Sequence, residues 1–245
     1  MSFGCQSVAS SRKVFLFWIS FLVLWAGTQL FYGAVKPWTI TATAISFSLV
    51  YLLAGWVLPG SNRVSSSIFW FLLGTNLLFL ISFLPGAAFL FPYTEALRTA
   101  HGIEGLWPGT ADTFLTLRSY TQFWVYVLAG LITLRLMSAG LSSGQVLKGV
   151  VAVLSVQLLY AVVSFLAGFD HIPFYGESPY PESASGTLVN RNSFAGLAGM
   201  GLIVVAALGL SSRRRVDHRI VWGAVFLLFL VGIILSKSRG GFLAA

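Results

Sequence analysis

The chain of 245 residues is 57% hydrophobic, only 9% charged, and carries a formal net charge of +8. Soluble domains are about 45–50% apolar and about 25% charged, so this composition excludes an ordinary soluble protein and indicates a chain that uses the bilayer as its solvent. The basic residues are distributed between the apolar runs, which fits a positive-inside membrane protein and argues against nucleic-acid binding. The single cysteine, Cys5, excludes an internal disulfide and a Cys-based zinc site.

Seven apolar stretches are long enough, or nearly so, to cross a bilayer, because a hydrocarbon core of about 30 Å needs about 20 helical residues. They cover residues 14–35, 39–59, 68–91, 119–141, 149–168, 194–212 and 220–236. Residues 240–245 are typical of the start of an eighth helix. We therefore predict an all-α polytopic transmembrane helix bundle, organised as one transmembrane domain over residues 1–245 and incomplete at its C-terminus.

The distribution of Lys and Arg predicts a cytoplasmic N-terminus. With that orientation most basic residues lie in cytoplasmic segments, above all the cluster of Arg213, Arg214, Arg215 and Arg219 between the last two predicted spans. Two long loops, residues 92–118 and 169–193, then face outward and contain most of the acidic residues. Because loops beyond about 12–15 residues are often functional, we expect any site to face outward.

The predicted spans are nearly free of ionisable residues. Only Arg135 falls within one, close enough to an end for its side chain to snorkel to the interface. This scarcity argues against a proton-coupled transporter, which would place charges near the midplane of the membrane. The uncharged polar residues of the spans are predicted to form interhelical hydrogen bonds; they are Gln29, Asn76, Gln122 and Gln157.

Known chemical motifs are missing from the sequence. It has no hydrolase, metal or nucleotide signature, and we expect neither a cofactor nor a metal. The three histidines, His101, His171 and His218, fall on two faces of the predicted membrane, so all three cannot bind one metal ion. His101 and His171 both belong to outer loops and could meet there as a catalytic or metal pair; the alternative, which we favour, is that they are surface histidines.

A first candidate segment closes the second outer loop, where Asn190, Arg191 and Asn192 precede the sixth predicted span. A guanidinium flanked by amides at the positive end of a helix dipole is suited to bind a phosphate or a diphosphate. The alternative is that Asn192 or Ser193 caps the helix and that Arg191 is only an interfacial charge.

A second candidate segment, residues 236–241, follows the seventh predicted span. That span of about 17 residues measures roughly 26 Å, slightly less than the hydrocarbon core, so Lys237 and Arg239 should be held at the outer face. Both segments then place an arginine on the same side at similar depth. This pattern predicts a site for an anionic, lipid-anchored substrate; the alternative is that Lys237 and Arg239 are interfacial anchors beside a tight turn.

Together the two segments resemble a known family. The pattern Gly-x-x-x-Asn-x-Asn-x-Phe-Ala-Gly at residues 186–196, followed by Ser-Arg-Gly-Gly-x-Leu-Ala at residues 238–244, is similar to the O-antigen ligase and polymerase family of bacterial envelope glycan enzymes. The run Leu-Thr-Leu-Arg-Ser-Tyr-Thr-Gln at residues 115–122 also resembles a segment of that family. The resemblance extends over roughly residues 70–245.

The resemblance implies a multi-pass glycosyltransferase of the bacterial inner membrane, surrounded by membrane lipids and without a cofactor. Such enzymes move a glycan from an undecaprenyl-diphosphate carrier to lipid A core, another glycan or protein at the periplasmic face. Arg191 and Arg239 match the diphosphate-holding arginines by motif position, Asn190 and Asn192 flank the first of them, and Lys237 and Arg118 match less clearly. The family's general base is a histidine in a later outer loop. None of the three histidines matches it, so the catalytic residue is unassigned.

Two alternatives to a glycan transferase fit a polytopic membrane protein. A lipid-linked oligosaccharide transporter or flippase predicts charged residues along a cavity and repeat symmetry, and the sequence shows neither. A non-catalytic membrane subunit is the other alternative, which an incomplete C-terminus would favour. The sequence does not choose between a ligase and a polymerase.

Overall fold

The computed structural model describes residues 3–31, 37–58, 66–84, 87–100, 102, 109–110, 112–169, 171–172, 176–188, 190–211 and 216–238. In these residues the fold is all-α, as predicted, apart from one pair of short antiparallel strands, β1 (His171–Ile172) and β2 (Gly176–Glu177). The helices are α1 (Phe3–Phe31), α2 (Pro37–Val57), α3 (Ser66–Ser82), α4 (Pro92–Ala100), α5 (Thr113–Ser138), α6 (Ser143–Leu166), α7 (Arg191–Ser211) and α8 (Val216–Leu235). Two 3₁₀ turns cover Ala87–Leu90 and Gly186–Leu188.

The helices identify a multi-pass membrane protein. Among the described residues, five segments are long and apolar enough to cross a bilayer: Arg12–Leu30, Thr39–Val57, Thr113–Ser138, Ser143–Leu166 and Arg191–Ser211. Ser66–Ser82 and Arg219–Leu235 are shorter apolar helices. Each of the seven predicted spans therefore corresponds to an apolar helix. The predicted eighth helix lies outside the described residues, and the cytoplasmic position of the N-terminus stays a prediction from charge.

The third predicted span, residues 68–91, is wrong at its C-terminal end. The helix α3 stops at Ser82, and the chain continues through the 3₁₀ turn and α4. Pro85 stands in this stretch, and a proline removes a backbone donor and disfavours helical geometry in the residue before it. The helix α4 occupies part of the predicted loop 92–118 and begins at Pro92, at the position where proline suits a helix.

Two compact units make up the chain: Met1–Gly60 with Gly130–Ala245, and Ser61–Ala129. In the first unit, α6, α7 and α8 share an apolar core in which Leu158, Phe194 and Phe229 are fully buried. Gly201 of α7 lies so close to α8 that a Cβ there would be 1.9 Å from Cε1 of Phe229. Absence of a side chain at Gly201 therefore permits this helix packing, as small residues do in membrane bundles.

A buried arginine joins two helices of the first unit. Arg135, in the last turn of α5, is 7% exposed. Its Nε donates to the carbonyl of Ala54 (3.3 Å), and its Nη2 donates to those of Gly55 (3.2 Å) and Leu58 (2.9 Å), at the C-terminus of α2. Arg135 thus lies near the end of its helix, as predicted, and its charge compensates C-terminal carbonyls and the negative dipole end of α2. Its snorkelling to the membrane interface stays a prediction.

The second unit contains α3, α4 and the first half of α5. The hydroxyl of Tyr120 donates to Oδ1 of Asn76 across α5 and α3 (2.5 Å), which confirms Asn76 as an interhelical partner. The N-terminus of α5 is capped by Asp112, whose Oδ1 accepts from the N–H of Leu115 (2.9 Å). This cap explains why α5 begins before residue 119, the predicted start.

Candidate functional site

The candidate site lies at one end of the first unit, which we call the loop end. It comprises the described residues of the loop 167–190, the first turn of α7, and the end of α8 with the turn 236–238 that follows it. Although this loop is polar in sequence, Ser183, Ser185 and Thr187 are buried. The N–H of Ala184 donates to the carbonyl of Leu235 at the end of α8 (2.9 Å). The loop is thus a packed part of the bundle, and it is the side that the charge distribution predicts to face outward.

Thr187 anchors the loop to two more helices. Its hydroxyl accepts a hydrogen bond from the side-chain amide of Gln157 in α6 and donates one to the carbonyl of Gln29 in α1 (2.7 Å). Gly186 beside it has φ of +56°, a conformation that favours glycine. Gln157 is therefore a hydrogen-bond partner, as predicted, although its partner belongs to a 3₁₀ turn rather than to a helix.

The N-terminus of α7 is capped by Asn190. Its Oδ1 accepts from the N–H of Asn192 (2.8 Å), and its carbonyl accepts from the N–H of Phe194 (3.0 Å). The expectation that Asn192 or Ser193 would be the cap is therefore wrong, because the helix begins earlier than its apolar run does. The side chain of Asn192 is left to contact another segment.

That other segment is the C-terminus of α8. The hydroxyl of Ser238 donates to Oδ1 of Asn192 (2.9 Å). The turn is fixed by Ser236, whose Oγ donates to the carbonyl of Ile233 (2.6 Å) and accepts from the N–H of Ser238 (3.2 Å). Lys237 between them is exposed and left-handed, with φ of +50°. The structure thus brings Asn190, Arg191 and Asn192 next to the turn that carries Lys237.

Arg191 lies at the edge of this arrangement and is partly accessible. Its Nη1 is 3.7 Å from Oε1 of Glu182, and the exposed fractions of the two side chains are 36% and 55%. Its Cζ lies 5.2 Å from the centre of the Tyr180 ring, over the ring. Sequence reasoning missed Tyr180 and Glu182, because their contact with Arg191 depends on how the loop folds and no local spacing indicates it.

The remaining predicted site residues are placed as follows. Arg239 lies outside the described residues. Arg118 belongs to α5 in the second unit, where it is half-buried. His171 is exposed on β1, while His101 and the side chain of His218 lie outside what the structure describes. In the described part of the chain, no group of three or more His, Cys, Asp or Glu side chains is arranged to hold a metal ion.

A small cavity lies under the loop, between it and the end of α6. It has a volume of about 30 Å³, enough space for about one water molecule. Its polar lining residues are Tyr160, Ser164, His171, Ser178, Tyr180, Ser183 and Ser185. The accessible cationic side chains described at this end are those of Arg191 and Lys237.

Comparisons of the chain with protein-family models, with curated proteins and with solved structures find no match.

Proposed function

We propose that this membrane protein is a glycan transferase of the O-antigen ligase and polymerase type in the bacterial inner membrane. It would move a glycan from an undecaprenyl-diphosphate carrier to a glycan, lipid A core or protein acceptor at the periplasmic face. The observation that carries the proposal is the hydrogen bond between Ser238 and Asn192. It joins the two segments whose sequences resemble that family.

Each residue near this bond has a role in the proposal. The guanidinium of Arg191 supplies planar N–H donors that match phosphate oxygens. It lies in the first turn of α7, where the helix dipole favours an anion. Asn190 caps that helix and fixes the backbone that carries the arginine. Lys237 adds an exposed positive charge from α8, and Arg239 joins them by its motif position.

The proposed reaction is a glycosyl transfer. The acceptor hydroxyl forms a bond to the anomeric carbon, the bond from that carbon to the diphosphate oxygen breaks, and undecaprenyl diphosphate leaves. Positive charge beside the diphosphate stabilises the negative charge that develops on the leaving group. The hydroxyl proton passes to a general base that the motifs of this chain do not identify.

Binding of undecaprenyl diphosphate tests the proposed site. The chain is purified into nanodiscs of zwitterionic lipid and titrated with that lipid. We expect Arg191→Ala to weaken binding about tenfold or more, since hydrogen bonds to charged groups contribute about 1.5–3 kcal/mol. The affinity of Arg191→Lys for the lipid should lie between those of the wild type and Arg191→Ala, because lysine keeps the positive charge but lacks the planar, forked N–H donors of arginine. Arg219→Ala is the matched control, an exposed arginine near the opposite end of α8.

Transfer is measured in membranes that contain an undecaprenyl-diphosphate-linked glycan and a labelled acceptor. Loss of transfer in Arg191→Ala and in Arg239→Ala, with Arg219→Ala active, supports the proposal. Equal lipid binding by the wild type and Arg191→Ala would show that Arg191 holds no diphosphate. Movement of the carrier across the bilayer without glycan transfer would identify a flippase instead.

A further inference from the structure

Two residues of one tight turn contact Arg191 from different directions. The N–H of Ser183 donates to the carbonyl of Tyr180 (3.1 Å), which closes a β-turn over residues 180–183. Pro181 occupies the second position of this turn, where its fixed φ is favoured. Tyr180 and Glu182 are the first and third residues, and both reach the arginine. A proline-stiffened turn thus presents an aromatic ring and a carboxylate to one guanidinium.

We infer that Tyr180 positions the guanidinium of Arg191 and that Glu182 is a resident counterion, which a phosphate ligand displaces on binding. The inference rests on the proposed function, since it assumes a phosphate-bearing ligand at Arg191. It adds two residues, Tyr180 and Glu182, that set how strongly that ligand binds. Neither is a catalytic residue, because each acts through the arginine.

The contacts that Tyr180 and Glu182 make with Arg191 differ in whether they compete with a phosphate for the N–H donors of the guanidinium. Tyr180 offers the face of its ring to the guanidinium, as cation–π pairs do. A ring face carries no anionic oxygen, so it does not compete with a phosphate for the N–H donors as a carboxylate does. Its turn is anchored, because the neighbouring Ala184 N–H donates to α8 and the Tyr180 N–H donates to Oγ of Ser178 (3.2 Å). The ring is therefore a fixed platform that remains when the ligand arrives.

Glu182 is held much more loosely. Its 3.7 Å separation from Arg191 exceeds the 2.7–2.9 Å of a charge-assisted hydrogen bond. Both side chains are over a third exposed, so the solvent screens their attraction and the pair contributes little. A phosphate group makes shorter, paired hydrogen bonds to the same donors. The carboxylate therefore keeps the arginine paired in the free protein and leaves when a phosphate binds.

Inorganic pyrophosphate is the probe, titrated by calorimetry into the purified chain in zwitterionic nanodiscs. We expect Glu182→Gln to bind it about two- to fivefold more tightly, the factor that corresponds to an exposed ion pair. Glu177→Gln is the matched control, since it removes the same charge from an exposed acid of the same loop. Tyr180→Phe should match the wild type, and Tyr180→Leu should bind more weakly. The gain in Glu182→Gln should shrink at about 1 M salt, where the Debye length is about 3 Å.

The outcomes separate this inference from the proposed function. If Arg191→Ala abolishes pyrophosphate binding but Glu182→Gln matches Glu177→Gln, the inference is overturned and the diphosphate site stands. If Tyr180→Phe binds as weakly as Tyr180→Leu, the ring face is not the platform. If Arg191→Ala binds pyrophosphate as the wild type does, the proposed site itself is wrong. Each variant is checked for an unchanged melting temperature, so that a change in binding reports on the contact with Arg191 and not on the fold.

Discussion

The hydroxyl of Ser238 donates a 2.9 Å hydrogen bond to Oδ1 of Asn192, and this bond links the turn that follows α8 to the first turn of α7. The donor is 4% exposed, whereas Asn192 lies at the surface. A bond at the boundary between core and solvent can set the position of both segments without being a large contribution to stability. Its consequences are therefore expected in ligand binding as well as in unfolding.

Removing this bond should have a measurable, moderate effect. We expect Ser238→Ala and Asn192→Ala each to lower the free energy of unfolding by about 1 kcal/mol, the typical net contribution of one hydrogen bond. Thermal unfolding in detergent should show a decrease of about 2–4 °C for each. Because the two residues share one interaction, the double variant should cost less than the sum. Strictly additive losses would show that the two side chains do not interact.

Thr187 should be the most sensitive hydroxyl of the loop. It is fully buried and bonded to both Gln157 and the carbonyl of Gln29. Thr187→Val keeps the shape but leaves those two groups without a partner, so we expect a loss of about 2–4 kcal/mol. Thr187→Ser keeps the hydroxyl and should lose much less. A melting temperature equally low for both variants would attribute the effect to packing rather than to hydrogen bonding.

Arg135 should be required for stable assembly of the first unit. Replacing it by Met removes the donor to the carbonyls of Gly55 and Leu58, whereas the carbonyl of Ala54 still accepts from the N–H of Leu58 (3.1 Å). We expect a loss of about 2–4 kcal/mol. Arg135→Lys should recover part of this loss, because one ammonium keeps the charge but cannot reproduce the fork. The measurement is the melting temperature, together with the yield of monodisperse protein. Full stability of Arg135→Met would contradict a capping role.

Gly201 should not tolerate a methyl group. A Cβ at this position would meet the buried ring of Phe229 at 1.9 Å, so Gly201→Ala should separate α7 from α8 and destabilise the protein by about 1–3 kcal/mol. Gly196 of the same helix has nothing within 4 Å of its would-be Cβ, so Gly196→Ala is the control and should be neutral. Phe229→Leu should partly rescue Gly201→Ala. If both alanine variants unfold alike, close packing at Gly201 is refuted.

Hydropathy was sufficient to predict the apolar helices. A segment that crosses a bilayer must form its backbone hydrogen bonds internally, and a single apolar run of that length does so as a helix. Hydropathy was insufficient to predict short helices and the exact ends of the long ones. The helix α4 has only nine residues and segregates its polar and apolar side chains on different faces, so a search for long apolar runs does not detect it. The helix ends at Asn190 and Asp112 precede the apolar runs, so caps rather than hydropathy define them.

The contacts of the candidate site were predictable only in part. Two motifs containing Asn192 and Ser238 indicated that distant segments converge, and the structure places these two residues in contact. The partners of Arg191 and Arg135 were not predictable, because they come from a folded turn and from another helix. A single charge in or near an apolar run fits an anchor, a cap or a ligand site equally well until its neighbours are known.

The anchoring of the loop has a consequence for the order in which the protein assembles. The turn of Thr187 is bonded to α1, an early product of translation, while Ala184 is bonded to Leu235 of α8, a much later one. Because a chain emerges from the ribosome in sequence order, these two bonds cannot form together until α8 has been inserted. Until then the guanidinium of Arg191 lacks the neighbouring turn of α8. The loop end is therefore completed only late in biogenesis.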